Sequence, residues 1–541
     1  MMYRLLITVW VFATLASGIQ AQNASLNPYE SDERVTPANQ IDKAVLPRLN
    51  RLGVKPRLCS DAVFVRRAYL DVTGTLPTAE EARRFIEKAD KNKRSLLIDE
   101  LIESPAFADC WAMKWGDILR IKAEFPVNLW PNAAQAYHRW VKASIAENKP
   151  YDQFARELLT SSGSNFRVGP VNFYRAVQNR TPEGIASAVA LTFMGSRTDA
   201  WPKDQLEGMS AFFAQVGYKP TREWKEETVY WDPFGSIAKG TNIVEASEAV
   251  PSVHAPSVAR LPGGKPFKLP ADRDPRELFA DWLVKPENPY FTKAIANRVW
   301  SWFFGRGIIH EPDDIRKDNP PSNPVLLACL EKELVQGKYD LRRLFRLILN
   351  SRVYQLASAR PAEKDLEGQF AYYPVRRLDA EVLIDAINSI TGTSDLYTSA
   401  IPEPFTYIPQ DQPSIAIADG SITSPFLTLF GRSARATGME SERSNKMMPS
   451  QALHLLNSSH IQRKIEQGPK LRQLLDSKRK PAELAQELYL AVLSRFPTEE
   501  ELKIVQTYGT PAKNGAIYKS KDEWNDLAWA LINSSEFLHR H

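Results

Sequence analysis

Cysteine is nearly absent: three residues in 541, Cys59, Cys110 and Cys329, with no C-x-x-C pair. A zinc or haem site built on cysteine is thereby excluded, and no spacing selects a disulfide. Histidine is scarce too, at seven residues and without an H-E-x-x-H pattern. Neither a G-x-S-x-G elbow nor a phosphate-binding glycine loop occurs, so familiar signatures of hydrolases and nucleotide enzymes are missing. A strong charge of one sign is also lacking. The 69 basic and 64 acidic residues leave a formal net charge of +5, with no electrostatic case for nucleic acid. Beyond the N-terminus no run is apolar enough to span a bilayer, which takes about 20 residues.

Proline and tryptophan are plentiful, at 38 and 13 residues. Short helices with proline-marked starts, packed through large rings, would use both. A chain of this length exceeds one ordinary core, so two or more domains are expected. The expected fold is mainly α: two helical domains joined by a Gly/Pro-rich, partly β connector.

Arg4, the apolar run Leu5 to Ala16, and Gly18 to Ala21 read as a secretory signal peptide over residues 1–21. The alternative is a retained N-terminal anchor. Export places the mature chain in the periplasm or outside the cell.

The first helical domain is expected over 36–218. Thr78 and Glu81 form a capping box, and Ser104 with Pro105 starts a helix carrying Phe107, Trp111, Trp115 and Leu119 on one stripe. That stripe reads as a core seam. Arg66, Arg67 and Asp71 flank one helix end and Asp117 and Arg120 lie off the aromatic stripe, a pattern for buried Arg–Asp pairs that orient the loop at Gly74, with a ligand site as the alternative. A helix is expected from Asp204 to Val216 with Gly217 as its stop. The connector, 219–274, holds a strand within Glu223–Trp231 and a hairpin near Gly263-Gly264.

The second helical domain, 275–541, is organised around NRVWSWFFGRGIIHEPDDIRKDNPPSNP, which begins at Asn297. An aromatic helix (Phe291, Ile295, Val299, Trp302) ends at Gly305 and delivers a stiff, proline-rich loop. The candidate binding residues are Arg298, Arg306, His310, Asp313, Asp314, Arg316 and Asn319, joined by Arg432, Glu442 and Arg443 of a second mixed-sign loop. Asp313 and Asp314 are the weak catalytic candidates, since paired carboxylates can divide acid and base work. Their bland alternative is helix capping or arginine binding. A divalent-cation site at Asp313, Asp314 and Asp318 lacks the spacing and glycine of a calcium loop, so no metal or cofactor is assigned.

Short segments echo one another. LPTAEE (76–81) parallels FPTEEE (496–501), while LIESPAF (101–107), LILNSRVY (347–354) and LINSSEF (531–537) share a serine followed three residues later by an aromatic. A reused helix–corner unit is the expectation, with chance recurrence of capping signals as its alternative.

The ordered matches FVRRAYLDVTGTLPTAEE, ESPAFADCWAMKWGDILR, NRVWSWFFGRGIIHEPDDIRKDNPPSNPVLL, SRVYQLAS, RRLDAEVLIDAI and QALHLLNSSHI resemble a secreted, planctomycete-type family. In it, domain of unknown function 1549 precedes domain of unknown function 1553. The resemblance implies export, a largely helical fold and no established reaction. Many members carry a haem-type C-x-x-C-H segment late in the first domain. Here Leu191 to Phe213 has Met194, Ser196 and Arg197 in that vicinity, so covalent haem does not carry over. The density of Trp, Tyr and Arg around stiff proline loops suggests a non-catalytic binding or assembly protein, and family context implies, by analogy, one accessory to envelope polysaccharide or sulfated-glycan processing. Its partner would be an extracytoplasmic protein or glycan. The alternative is an extracytoplasmic hydrolase using Asp313 and Asp314, with Arg298, Arg306 or Arg316 fixing the substrate.

Overall fold

The computed structural model describes residues 27–234, 258–358, 364–477, 479–508, 510–511, 517–518 and 520–541. The expected signal peptide and most of the connector's centre lie outside them. The fold is mainly α, with a few short strands. No helix among the described residues is long and apolar enough to cross a membrane.

Local chemistry explains where the helices start. Ser60, Thr78, Ser104, Thr181, Asn323 and Asp340 each accept a backbone N–H of the following first turn. Proline occupies the first helical position at Pro105, Pro131, Pro182, Pro275 and Pro324, where its missing N–H costs nothing.

Rings from the two halves of the chain interleave. On the Pro105–Ile118 helix, Trp111 lies 5.2 Å from Trp302, 5.6 Å from Phe303 and 4.5 Å from Phe345, centroid to centroid. Trp115 meets Trp302 at 5.8 Å, and Tyr151 stacks on Phe291 at 4.7 Å. The two aromatic seams of the sequence are thus partners of each other.

The repeated corners share one hydrogen-bond pattern. Ser104, Ser351 and Ser534 each donate Oγ–H to the carbonyl three residues back, at 2.6–2.7 Å. Each serine also accepts the N–H of Phe107, Tyr354 or Phe537, at 3.2–3.4 Å. The Thr78/Glu81 and Thr498/Glu501 boxes agree as closely, with the threonine amide 2.7 Å and the glutamate amide 3.2 Å from their acceptors. Just before each box the backbone turns left-handed, at Gly74 (φ +66°) and at Ser494 (φ +59°).

The connector region differs in detail from expectation. Its helix stops at Ser210, a 3-10 turn covers Ala211–Phe213, and Gly217 lies inside the strand Val216–Pro220. That strand pairs with Glu227–Trp231, which also pairs with Gly163–Ser164. Strand pairing with the Val229 segment outcompetes a helix that glycine alone would have ended. The expected hairpin is present, Val258–Arg260 against Pro266–Lys268, turning through Gly263 at φ +75°.

Candidate functional site

The two charged loops meet where the Glu440 amide donates to Asp313, beside a network of buried ion pairs. Arg443 is its hub. Its guanidinium lies 2.7 Å from Asp117 and 2.6 Å from Glu381, with Asp379 at 3.9 Å. Arg435 reaches the other oxygen of Asp117 at 2.9 Å, and Arg432 reaches Glu381 at 3.3 Å. Asp379 also takes Lys114 and Arg540, both at 3.0 Å. Arg540 continues to Asp71 at 3.4 Å, where the hydroxyls of Tyr354 and Tyr373 donate at 2.9 and 2.7 Å.

The helices make this cluster possible. Lys114 and Asp117 project from the Pro105–Ile118 helix beside its aromatic stripe, and Glu381 from Ala380–Thr391. Arg435 is fully buried because two glycines leave it room. A Cβ on Gly116 would lie 2.9 Å from its Cζ, and one on Gly420 2.8 Å from its Cδ. Burial alone would raise the Glu381 carboxyl, but Arg443 and Arg432 overcome that and hold it at about 2. Asp379 is likewise driven well below its usual range, Lys114 and Arg540 outweighing burial.

A second node joins the Gly305–Pro324 loop to the same network. Arg298, itself buried, bonds Asp313 at 2.8 Å and the Thr192 carbonyl at 2.7 Å. The second oxygen of Asp313 accepts the Glu440 amide N–H at 2.7 Å, and the Glu440 carboxylate accepts Trp302 Nε1–H. Burial first, and then the neighbouring Asp313 carboxylate, push Glu440 up to about 7. A carboxyl held protonated costs the fold stability once it must ionise. Below about pH 4.5 both folded and unfolded chains carry the proton, and no penalty exists. The penalty grows as pH rises and is complete above the folded value near 7. Glu440→Gln is therefore expected to match the wild type at pH 4 and exceed it by up to about 3 kcal/mol at pH 8. Urea unfolding at the two pH values measures this.

The remaining sequence candidates spread outward. Asp314 is partly exposed and bonds Arg316 at 3.3 Å, and Arg316 also meets Asp318 at 3.4 Å. Asn319 donates to the carbonyls of His310 and Asp314, at 3.0 and 2.9 Å. Arg306 lies 3.7 Å from Glu367, and His310 is exposed. Partial desolvation by the surrounding loop, with Arg306 adding to it, lowers the His310 imidazole below its ordinary value. Glu442 accepts the amides of Ala436 and Thr437 and so closes its own loop. Asp117 pairs with Arg435 and Arg443, while Arg120 donates to the Thr437 carbonyl. Arg66 and Arg67 bond distant carbonyls, among them Val492, Phe537, Tyr354 and Leu356; the expected local Arg–Asp pairs at Gly74 do not form. Lys114, Asp379, Glu440 and Arg540 also belong to the network, outside the candidate site residues of the sequence. The i, i+3 spacing of Lys114 and Asp117 beside a ring stripe was the available signal for one of them.

At Leu191–Phe213, Met194 is buried, Ser196 accepts Trp201 Nε1–H at 3.0 Å, and Arg197 pairs with Glu311 at 2.8 Å. Among the described residues no group of three or more His, Cys, Asp or Glu side chains is placed to hold a metal.

Fold and site together define a helical protein in which part of each charged loop, Asp313 in the first and Arg432, Arg435 and Arg443 in the second, is held in buried ion pairs. Residues 40–217 match the family model PSCyt2, protein of unknown function DUF1549, and residues 275–509 match PSD1, protein of unknown function DUF1553. The chain belongs to the family that carries these two domains in this order. No curated protein and no solved structure matches it.

Proposed function

We propose that this is an exported, non-catalytic binding or assembly protein, accessory to the processing of envelope polysaccharide. The observation that carries the reading is the commitment of Asp313. Both its oxygens are occupied, one by Arg298 and one by the Glu440 amide, and its side chain is 3% exposed. A carboxylate so held stabilises a loop junction and is shielded from a substrate. Asp314, the other candidate, is bonded to Arg316 at the surface.

Two substitutions test this. Asp313→Ala leaves Arg298 buried without its partner and is expected to cost about 3–5 kcal/mol in unfolding free energy. Asp314→Ala is expected to stay within about 0.5 kcal/mol. The wild type is expected to bind envelope polysaccharide without shortening it. Release of reducing ends, lost in a folded Asp313→Asn or Asp314→Asn variant, would establish the hydrolase instead.

A further inference from the structure

Several large exposed rings belong to the segments 124–130, 222–225 and 403–407, which meet around Trp130. Phe125 is 80% exposed, Tyr407 73%, Trp224 67% and Phe405 47%. Trp130 packs on Phe405 with centroids 5.3 Å apart. The Lys225 ammonium sits 5.3 Å from the Trp224 ring and 5.9 Å from that of Trp130. Tyr407 follows Phe405 by two residues, and Phe125 belongs to the loop that ends at Trp130. A single soluble chain has no packing reason to group such rings in solvent.

The backbone presents them under strain. Trp130 has φ +73° and ψ +147°, a region essentially reserved for glycine. Lys225 is left-handed at φ +63° and Asn128 at φ +61°. The second half of the chain holds the loop in this shape. Asp419 accepts the Ala123 amide at 2.8 Å, Ser421 accepts that of Glu124 at 2.9 Å, and the Glu124 carboxylate takes Ser399 and Ala400 at 3.1 Å each. Strain kept by so many fixed partners marks a surface that is used.

Resting on the binding reading above, we propose that this face binds an acidic polysaccharide, its sugar rings stacking on Trp224, Trp130 and Phe405 while Lys225 and Arg222 take a carboxylate or sulfate. The charge pattern selects that occupant. Lys225 and Arg222 have no carboxylate partner among the described residues, so two cations are free for an anion. Glu124, Glu223 and Glu403 stand in the same segments and interrupt the continuous basic track that a single-stranded nucleic acid requires. A protein hot spot would sit in a water-excluding surround, whereas these rings project from polar loops. A pyranose has an apolar face and a polar rim, and fits both features.

Affinity gel electrophoresis of the full chain tests the proposal with polygalacturonate, dextran sulfate, neutral dextran and oligo(dT) in separate gels. Stronger retardation by polygalacturonate or dextran sulfate than by dextran is expected, and which of the two identifies the acid group. Trp224→Ala combined with Phe405→Ala should weaken it about tenfold, and Lys225→Glu should abolish the preference for the charged polymers. These side chains are exposed, and unchanged far-UV circular dichroism verifies folding. Retardation by none of the polysaccharides, or strongest by oligo(dT), overturns the proposal. So does retardation indifferent to the ring substitutions, which would place binding elsewhere and leave the binding reading standing. Shortening of a polysaccharide during the run would instead refute the non-catalytic reading itself.

Discussion

Arg443→Ala is expected to lower the free energy of unfolding by about 3–5 kcal/mol, because it removes the cation shared by the buried Asp117 and Glu381 and leaves each with a single arginine, Arg435 or Arg432. Arg443→Lys should recover only part of the loss, since an ammonium is a point charge and cannot reproduce the fork that spans both acids. The measurement is the midpoint and slope of urea unfolding at pH 7. Acid supplies an internal check. Glu381 is held at about 2 against an ordinary value of 4.5. Its contribution is therefore present above about pH 4.5 and is lost as pH falls through about 2. The gap between wild type and Arg443→Ala should narrow over that interval. A gap that stays constant from pH 7 to pH 2 would mean that the network contributes packing alone.

The second large effect is expected at the aromatic seam. Trp111→Ala should cost about 3–5 kcal/mol, the range for deleting a buried ring. Trp111 is 3% exposed, touches Phe107, Trp302, Phe303 and Phe345, and donates Nε1–H to the Val72 carbonyl at 3.1 Å. Because its ring bridges the two halves, the loss should appear in both. Hydrogen exchange should accelerate in the helices Pro105–Ile118 and Phe291–Phe304 together. Faster exchange confined to the first helix would show that the halves are energetically separate. Trp111→Phe should retain much of the packing, and its remaining deficit reports the smaller ring and the lost bond to Val72.

Much of the local structure was legible from residue types. The serine corners at Ser104, Ser351 and Ser534, the two capping boxes and the proline starts each rest on contacts within three or four residues, so the sequence displays both partners at once. The Phe107–Trp111–Trp115 stripe announced its burial by its four-residue spacing. The network did not announce itself. Asp117 and Arg120 looked like partners because they are neighbours, yet the cations on Asp117 come from Arg435 and Arg443. The ring face was equally hidden, because Trp130, Trp224 and Phe405 come together only after the loops close. Gly217 misled for the same reason: as a helix stop it was plausible, but a strand some ten residues on claimed it.

Most helix starts and which stripes turn inward came from the chain alone, because short-range hydrogen bonds and apolar periodicity are written in adjacent letters. Which carboxylate meets which cation, and which rings stay in water, was decided only by tertiary packing. A charge has no preference for one distant partner until burial removes water from around both.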